Sequence, residues 1–586
     1  MAKIDSYEWY LKDTLKDELY YQIPIYQRPY QWTEENCEKL LDDLFEDYEK
    51  DSESDYFCGS LVLVKSDPNS KTETYDIVDG QQRLSTFILL AKVLADLYND
   101  CLLDPENLKN LERLQEGWKD RHSERKRLSF NAIGSNAEDD FAYALEHFND
   151  SQASKNKNNK NNYLKNAICL KDYLKEKEIE DINDFIKWLY FKVVFIKTTC
   201  PNVSMALRIF SVLNARGLPL HAIDVFKVEL LKKLANKKDQ EEFVSRWSAL
   251  HQKCSGNESK FPKRKENKRE KNATETLFSW YLTYLNPVTS KEKMEKRLVT
   301  WFNKLNKTPL EYLKGVEDFY NAYCEVLEMQ DWHAHLLSYL ASDFWRIILC
   351  ASLLHRYSDQ DIKALKELLV KFYYQDWVAG QTKSTRSQTC CNIIIALKEK
   401  KNMESIASIV KKYFKDKNIT QRFRDNLKDS KLYEKFYFAG KSVKKNSWLK
   451  PILILVEYSM SDDPRPKRIQ MNDLHVEHIL PQQPGSSSQW VKDFSEEERG
   501  LYTHSLANLT LLGGTKNAQA SNLDFKDKQK IYMGEEIKLN KKKPFKVMTC
   551  YKMTIDIAHH YTEWMPKSLE TRKEELIQII ESVLEL

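Results

Sequence analysis

Residues 476–482 read VEHILPQ and residues 506–522 read LANLTLLGGTKNAQASN. The first is an apolar run ending on an acid and an imidazole, Glu477 and His478, and a strand sends two such neighbours to opposite faces unless its end twists. Asn508 and Asn517 follow 30 and 39 residues after His478, which leaves room for a hairpin, a loop and then a helix. Phosphodiester hydrolysis needs an activated water, charge neutralisation at the scissile phosphate and help for the departing oxygen. His478 can supply the first as general base, because an imidazole titrates near neutral pH. A divalent metal, Mg2+ or Mn2+, held by oxygen ligands can supply the other two. His478, Asn508 and Asn517 form the expected catalytic set, with Glu477 and Asn517 as first-choice metal ligands and Asn508 orienting the loop or the His478 backbone. His475 and His504 stay open, as structural side chains or as replacements for either ligand. Lys526, Lys528 and Lys530 are read as a row along a phosphate backbone or as an exposed charged face.

Working outward, 586 residues are too many for one core and imply about three or four domains. Hydrophobic residues at 42% and aromatics at 12% are ample for folded cores. The 91 basic and 87 acidic residues nearly cancel to a net charge of +4, so overall charge neither demands nor excludes nucleic acid. The 11 cysteines are scattered, with Cys390 and Cys391 the sole adjacent pair, and read as reduced thiols of a cytoplasmic protein. No CxxC pair occurs, which argues against a cysteine zinc site. The opening residues 1–20 carry charges every few positions and lack a signal peptide's apolar stretch. No run of about 18 apolar residues occurs, so no membrane partner is expected.

Residues 74–78, TYDIV, run through Asp79 and Gly80 into the helical pattern QQRLSTFILLAKVLADLY. Strand, glycine turn and helix start are contiguous. The unpaired amides and dipole of a helix start favour a phosphate there, and Arg83 adds a planar charged fork. Asp79 can instead cap the helix or hold a phosphate-bound metal. No Walker-type P-loop occurs. Residues 151–162, SQASKNKNNKNN, read as a polar loop, and residues 260–271 hold seven basic against two acidic residues, a solvated charge run or a nucleic-acid contact. From about 275 to 420 the pattern is helical and aromatic. His333 and His335, two apart, do not share a helical face and read as ordinary histidines rather than ligands.

DGQQR at 79–83, with YQRPYQW at 26–32 and FSVLNARGLPLHAIDVFK at 210–227, resembles the ParB- and sulfiredoxin-related domain of GmrSD-type restriction enzymes. The HxxP run at 478–481, the segment ANLTLL at 507–512, FKDKQKIY at 525–532 and EWMPKSLETR at 563–572 resemble the HNH-type, ββα-metal domain that accompanies it. Ala507 stands where that family has glycine. The resemblance implies an α+β, predominantly helical fold in three parts: 1–235, a ParB/sulfiredoxin-like α/β nucleoside triphosphatase domain; 236–420, a helical connector with a basic loop; and 421–586, an HNH nuclease domain. It implies nucleoside triphosphate contacts from Gln27, Arg28, Asp79, Gly80, Gln81, Gln82 and Arg83, and weaker ones from Asn214, Arg216 and Asp224. The implied activity is NTP-dependent or NTP-regulated DNA cleavage in defence against phage. Modified DNA, such as glucosylated hydroxymethylcytosine, is the implied substrate and partner, and a homodimer is compatible with it. Sensing of phosphorothioate DNA by a nicking NTPase, and a nucleotide-dependent DNA-binding regulator with an inactive nuclease, are the alternatives.

Overall fold

A computed structural model describes the chain apart from residues 1–3, 25–26, 28–29, 67–72, 104–106, 124, 131–136, 151–160, 204, 207–208, 210–221, 263–264, 267–268, 271, 291, 293, 439–440, 445, 464, 536–550 and 586. The fold is α+β and about 63% helical, with a mixed sheet. It divides into two compact units, residues 1–276 with 293–314, and residues 277–292 with 315–586. The helical stretch expected as a connector is thus shared between them. Among the described residues no helix is long and apolar enough to cross a membrane.

In the first unit, strands β1 (Asp5–Tyr10), β2 (Leu19–Ile23), β3 (Tyr56–Lys65), β4 (Glu73–Asp79), β5 (Leu128–Phe130) and β6 (Val193–Cys200) form one sheet in the order β1-β6-β3-β4-β2-β5. β1/β6 and β3/β4 run antiparallel, while β3/β6, β2/β4 and β2/β5 run parallel. Helices α1 (Glu34–Lys50) and α2 (Gln81–Leu97) contribute to its core, α2 through the buried run Leu84 to Ala95. Twelve of the 17 residues of α2 are buried, so it is apolar nearly all round, as a helix enclosed by its own domain must be.

The second unit is a helical array that ends in a small hairpin-and-helix assembly. A buried helix, α3 (Leu449–Ser459), precedes strand β7 (Leu474–His478), which pairs antiparallel with β8 (Leu509–Gly513); Leu474 faces Gly513 and His478 faces Leu509. Helix α4 (Gly514–Ala520) starts where β8 stops, followed by α5 (Phe525–Met533), α6 (Lys552–His560) and α7 (Pro566–Leu584). Ile479, Leu480, Leu512, Phe525, Tyr532, Ile557, Trp564 and Leu569 share one core, which fastens these pieces together.

Candidate functional site

β7 ends at His478, and the next residues are pinned to the partner strand through Asn508, which is fully buried. Ile479 N–H donates to Asn508 O at 3.0 Å. Asn508 Oδ1 accepts from Leu480 N–H at 2.7 Å and Trp564 Nε1–H at 3.3 Å. Its Nδ2 donates to Leu480 O at 2.8 Å and Thr503 O at 2.9 Å. One amide therefore joins the turn after His478 to the turn before His504. The last helix braces the same place, because the buried Arg572 donates to Ala507 O and, at 3.0 Å, to Leu509 O. Burial lowers the Arg572 guanidinium to about 10. Ala507 is itself buried core.

The two imidazoles lie together. The His478 and His504 ring centroids are 5.5 Å apart and perpendicular. Tyr433 meets His478 edge-on at 4.5 Å and lies parallel to His504 at 6.3 Å. Gln482 Nε2 is 3.3 Å from His478 Nδ1. His504 is half-buried, burial lowers its pKa, and among the described residues its enclosed Nδ1 has no hydrogen-bond partner. His475 is elsewhere: exposed, and beside Gly514.

Glu477 is buried and reaches helix α5. Its Oε1 accepts from Lys528 Nζ at 2.6 Å and from Tyr532 O–H at 3.4 Å. The same Nζ donates to His478 O at 2.7 Å. Burial pushes the Glu477 carboxyl up and the Lys528 ammonium down, while their contact opposes both shifts. Lys528 is thus neither on a phosphate row nor on an exposed face, because its position on α5 points into the core. Lys526 is exposed and Lys530 pairs with Asp527 at 2.9 Å. Asn517, on α4, has an enclosed Oδ1 without a hydrogen-bond partner among the described residues. No group of three His, Cys, Asp or Glu able to hold a metal occurs among the described residues. The oxygen donors of the expected ligand pair are the Glu477 carboxylate, engaged by Lys528, and the enclosed Asn517 Oδ1; oxygen donors of this kind are the type a hard divalent ion takes.

In the first unit, β4 passes through Gly80, at φ +94°, into α2, whose start has no side-chain cap. A Cβ at Gly80 would meet Leu61 Cδ2 at 2.3 Å, so both the backbone angle and the space require glycine. A register shift in β3 between Phe57 and Gly59 places Gly59 at φ +110°, where a Cβ would fall 1.7 Å from Arg83 Nη1. Into that gap goes the Arg83 guanidinium, donating to Cys58 O at 2.6 Å and Ser60 O at 2.9 Å, with Asp79 Oδ2 3.8 Å away. Asp79 Oδ2 also accepts from Ser60 Oγ at 3.1 Å. Gln82 Oε1 accepts from the N–H groups of Gln31 and Trp32 at 2.7 and 3.0 Å. Gln27 Nε2 donates to Ile77 O and Val78 O at 2.9 and 2.7 Å. Gln81 is buried. Gln27, Gln82 and Arg83, expected at the phosphates, thus make bonds that join segments 27–32, 58–60 and 77–83. Arg28, Asn214 and Arg216 lie outside the described residues, as does the side chain of Asp224.

Sequence reasoning singled out neither Tyr433 nor any role for Tyr532, Trp564 and Arg572, which reach the site from distant parts of the chain. His333 and His335 are both buried and apart from it; His335 Nε2 lies 2.9 Å from Pro466 O, and His333 stacks on Trp332 at 3.9 Å.

A hairpin holding an imidazole, an asparagine clamp and a following helix thus lie in the second unit, and a strand–glycine–helix junction in the first. The models of the GmrSD restriction endonuclease N-terminal and C-terminal domains match residues 11–231 and 420–579. The chain belongs to the GmrSD restriction endonuclease family. Comparison with curated proteins finds no match.

Proposed function

We propose that the second unit is an HNH-type, metal-dependent DNA endonuclease centre with His478 as general base, serving defence against phage. The observation that carries this reading is the Asn508 clamp, which joins the His478 and His504 turns within the segment matched by the family's C-terminal domain. The Gln482 amide, 3.3 Å from His478 Nδ1, helps to fix the orientation of the ring. Glu477 and Asn517 would hold the metal, which when bound neutralises charge on the phosphate and the departing oxygen. Modified DNA is the proposed substrate, glucosylated hydroxymethylcytosine being the first class to test.

For the first unit the reading is nucleotide regulation through the start of α2. With Gln27, Gln82 and Arg83 engaged by main-chain groups, the phosphates would meet the backbone amides after Gly80, at the positive end of a 17-residue helix. The test is cleavage of unmodified, hydroxymethylated, glucosylated and phosphorothioated plasmid with Mg2+ or Mn2+, with and without NTP, in the parent and His478→Ala. Cutting that depends on metal, on His478 and on a modification supports the reading; absence of metal-dependent cutting on every substrate removes it.

A further inference from the structure

We propose that Lys528 is a positioning residue of the nuclease centre, fixing the Glu477 carboxylate and the His478 main chain together. The inference rests on the reading of Glu477 as metal ligand and His478 as base. An ammonium has three donors, and two are spent on groups of consecutive residues: Glu477 Oε1 at 2.6 Å and His478 O at 2.7 Å. The Lys528 side chain is fully enclosed and that of Glu477 is 5% exposed, so water does not compete for these bonds. Tyr532, one helical turn further along α5, adds its hydroxyl to the same oxygen at 3.4 Å. Both helix α5 groups act on Oε1, and the His478 main-chain N–H also acts on the same carboxylate. The carboxylate is thereby oriented rather than neutralised outright.

Holding α5 on the hairpin does not call for this pair. A buried ion pair gains little net stability, because taking two charges out of water offsets their attraction, and apolar residues of the same volume commonly hold equally well. Phe525, Ile531 and Tyr532 already anchor α5 in the core. What the ammonium adds is geometry: it joins a ligand oxygen to the carbonyl of the residue bearing the base. Groups that hold a metal ligand from behind typically alter metal affinity or activity about 10- to 100-fold when removed.

The experiment uses the full chain and three readouts: Mn2+ affinity by calorimetric titration, kcat and KM for cleavage of the DNA substrate, and thermal unfolding. Lys528→Met keeps the length of the side chain and removes the ammonium. The expected result is a folded protein with Mn2+ affinity about 10- to 100-fold weaker, a lower kcat and an unchanged KM for DNA. Should Lys528→Met fail to fold, Lys528→Arg carries the test, since it keeps the charge that balances Glu477 while displacing the donor atoms; weakened Mn2+ binding in a folded protein is again expected. A folded variant with parental Mn2+ affinity and kcat overturns the proposal. His478→Ala in the same assays separates the two readings. If it still cuts, the assignment of His478 as base fails; if it is dead while a folded Lys528 variant is fully active, only the positioning role fails.

Discussion

Asn508 Oδ1 and Nδ2 bind the main chain on both sides of the hairpin, at Leu480 and at Thr503, and Oδ1 also receives the Trp564 indole N–H. Asn508→Ala would strand these groups in a core without water. Each unpaired buried group costs about 1–3 kcal/mol, and partial relaxation brings the expected loss to about 3 kcal/mol by denaturant titration, with cleavage falling alongside. A loss below about 1 kcal/mol would show that the clamp does not hold the two turns. At this scale His478 and Asn508 were legible in the sequence as a spacing, because both sit on one local hairpin. The place of Lys528 was not, because Lys526, Lys528 and Lys530 look alike as a charge row. Helical phase separates them: Phe525, Lys528 and Tyr532 stand three and four apart, so Lys528 shares the apolar face of α5. Tyr433 left no such local signal, since tertiary packing alone brings it to the hairpin, and EWMPKSLETR marked the closing helix without showing that Trp564 reaches Asn508.

At the scale of elements, the strand–glycine–helix junction was readable because Gly80 marks the turn and the apolar run of α2 follows at once. What could not be read was that Gly59, from another strand, makes the room for Arg83. Gly59→Ala is expected to expel the guanidinium from the Cys58 and Ser60 carbonyls and strain a left-handed backbone, costing about 2–4 kcal/mol in unfolding free energy. A parental unfolding curve would contradict this. Arg83→Ala should likewise lower the melting temperature before any nucleotide is added, so nucleotide binding is better read as a ligand-induced shift in the parent. The short helix Trp332–Ser338 carries a pH dependence of its own. Burial lowers His333 to about 4, with Asp331 opposing the shift. The folded protein therefore holds His333 neutral where the unfolded chain protonates it. Its contribution is complete above about pH 6.5 and is lost as pH falls towards 4, a change of about 2–3 kcal/mol. Denaturant titrations at pH 7 and 4.5 should show the parent losing more stability than His333→Phe; equal losses would rule the effect out.

For the whole molecule, the two matched domains fall in different compact units, residues 11–231 in the first and 420–579 in the second. The predominantly helical α+β class was foreseeable from the family resemblance carried by the blocks around Asp79 and His478, with which the aromatic helical run after residue 275 agrees. The division of the middle helices between the units was not, because helical periodicity shows which face is buried but not what it packs against. If the first unit binds nucleotide at α2, an NTP at a hundred times its dissociation constant should raise stability by about 2.7 kcal/mol. Unchanged melting with all four NTPs would remove that part of the reading. The central claim is that His478 works at a metal-dependent phosphodiesterase centre. The most direct measurement is the rate of modified-plasmid cleavage with Mn2+ in the parent and in folded His478→Ala. The account predicts metal-dependent cutting that falls by about 100-fold or more in the variant; equal rates in the two proteins would contradict it.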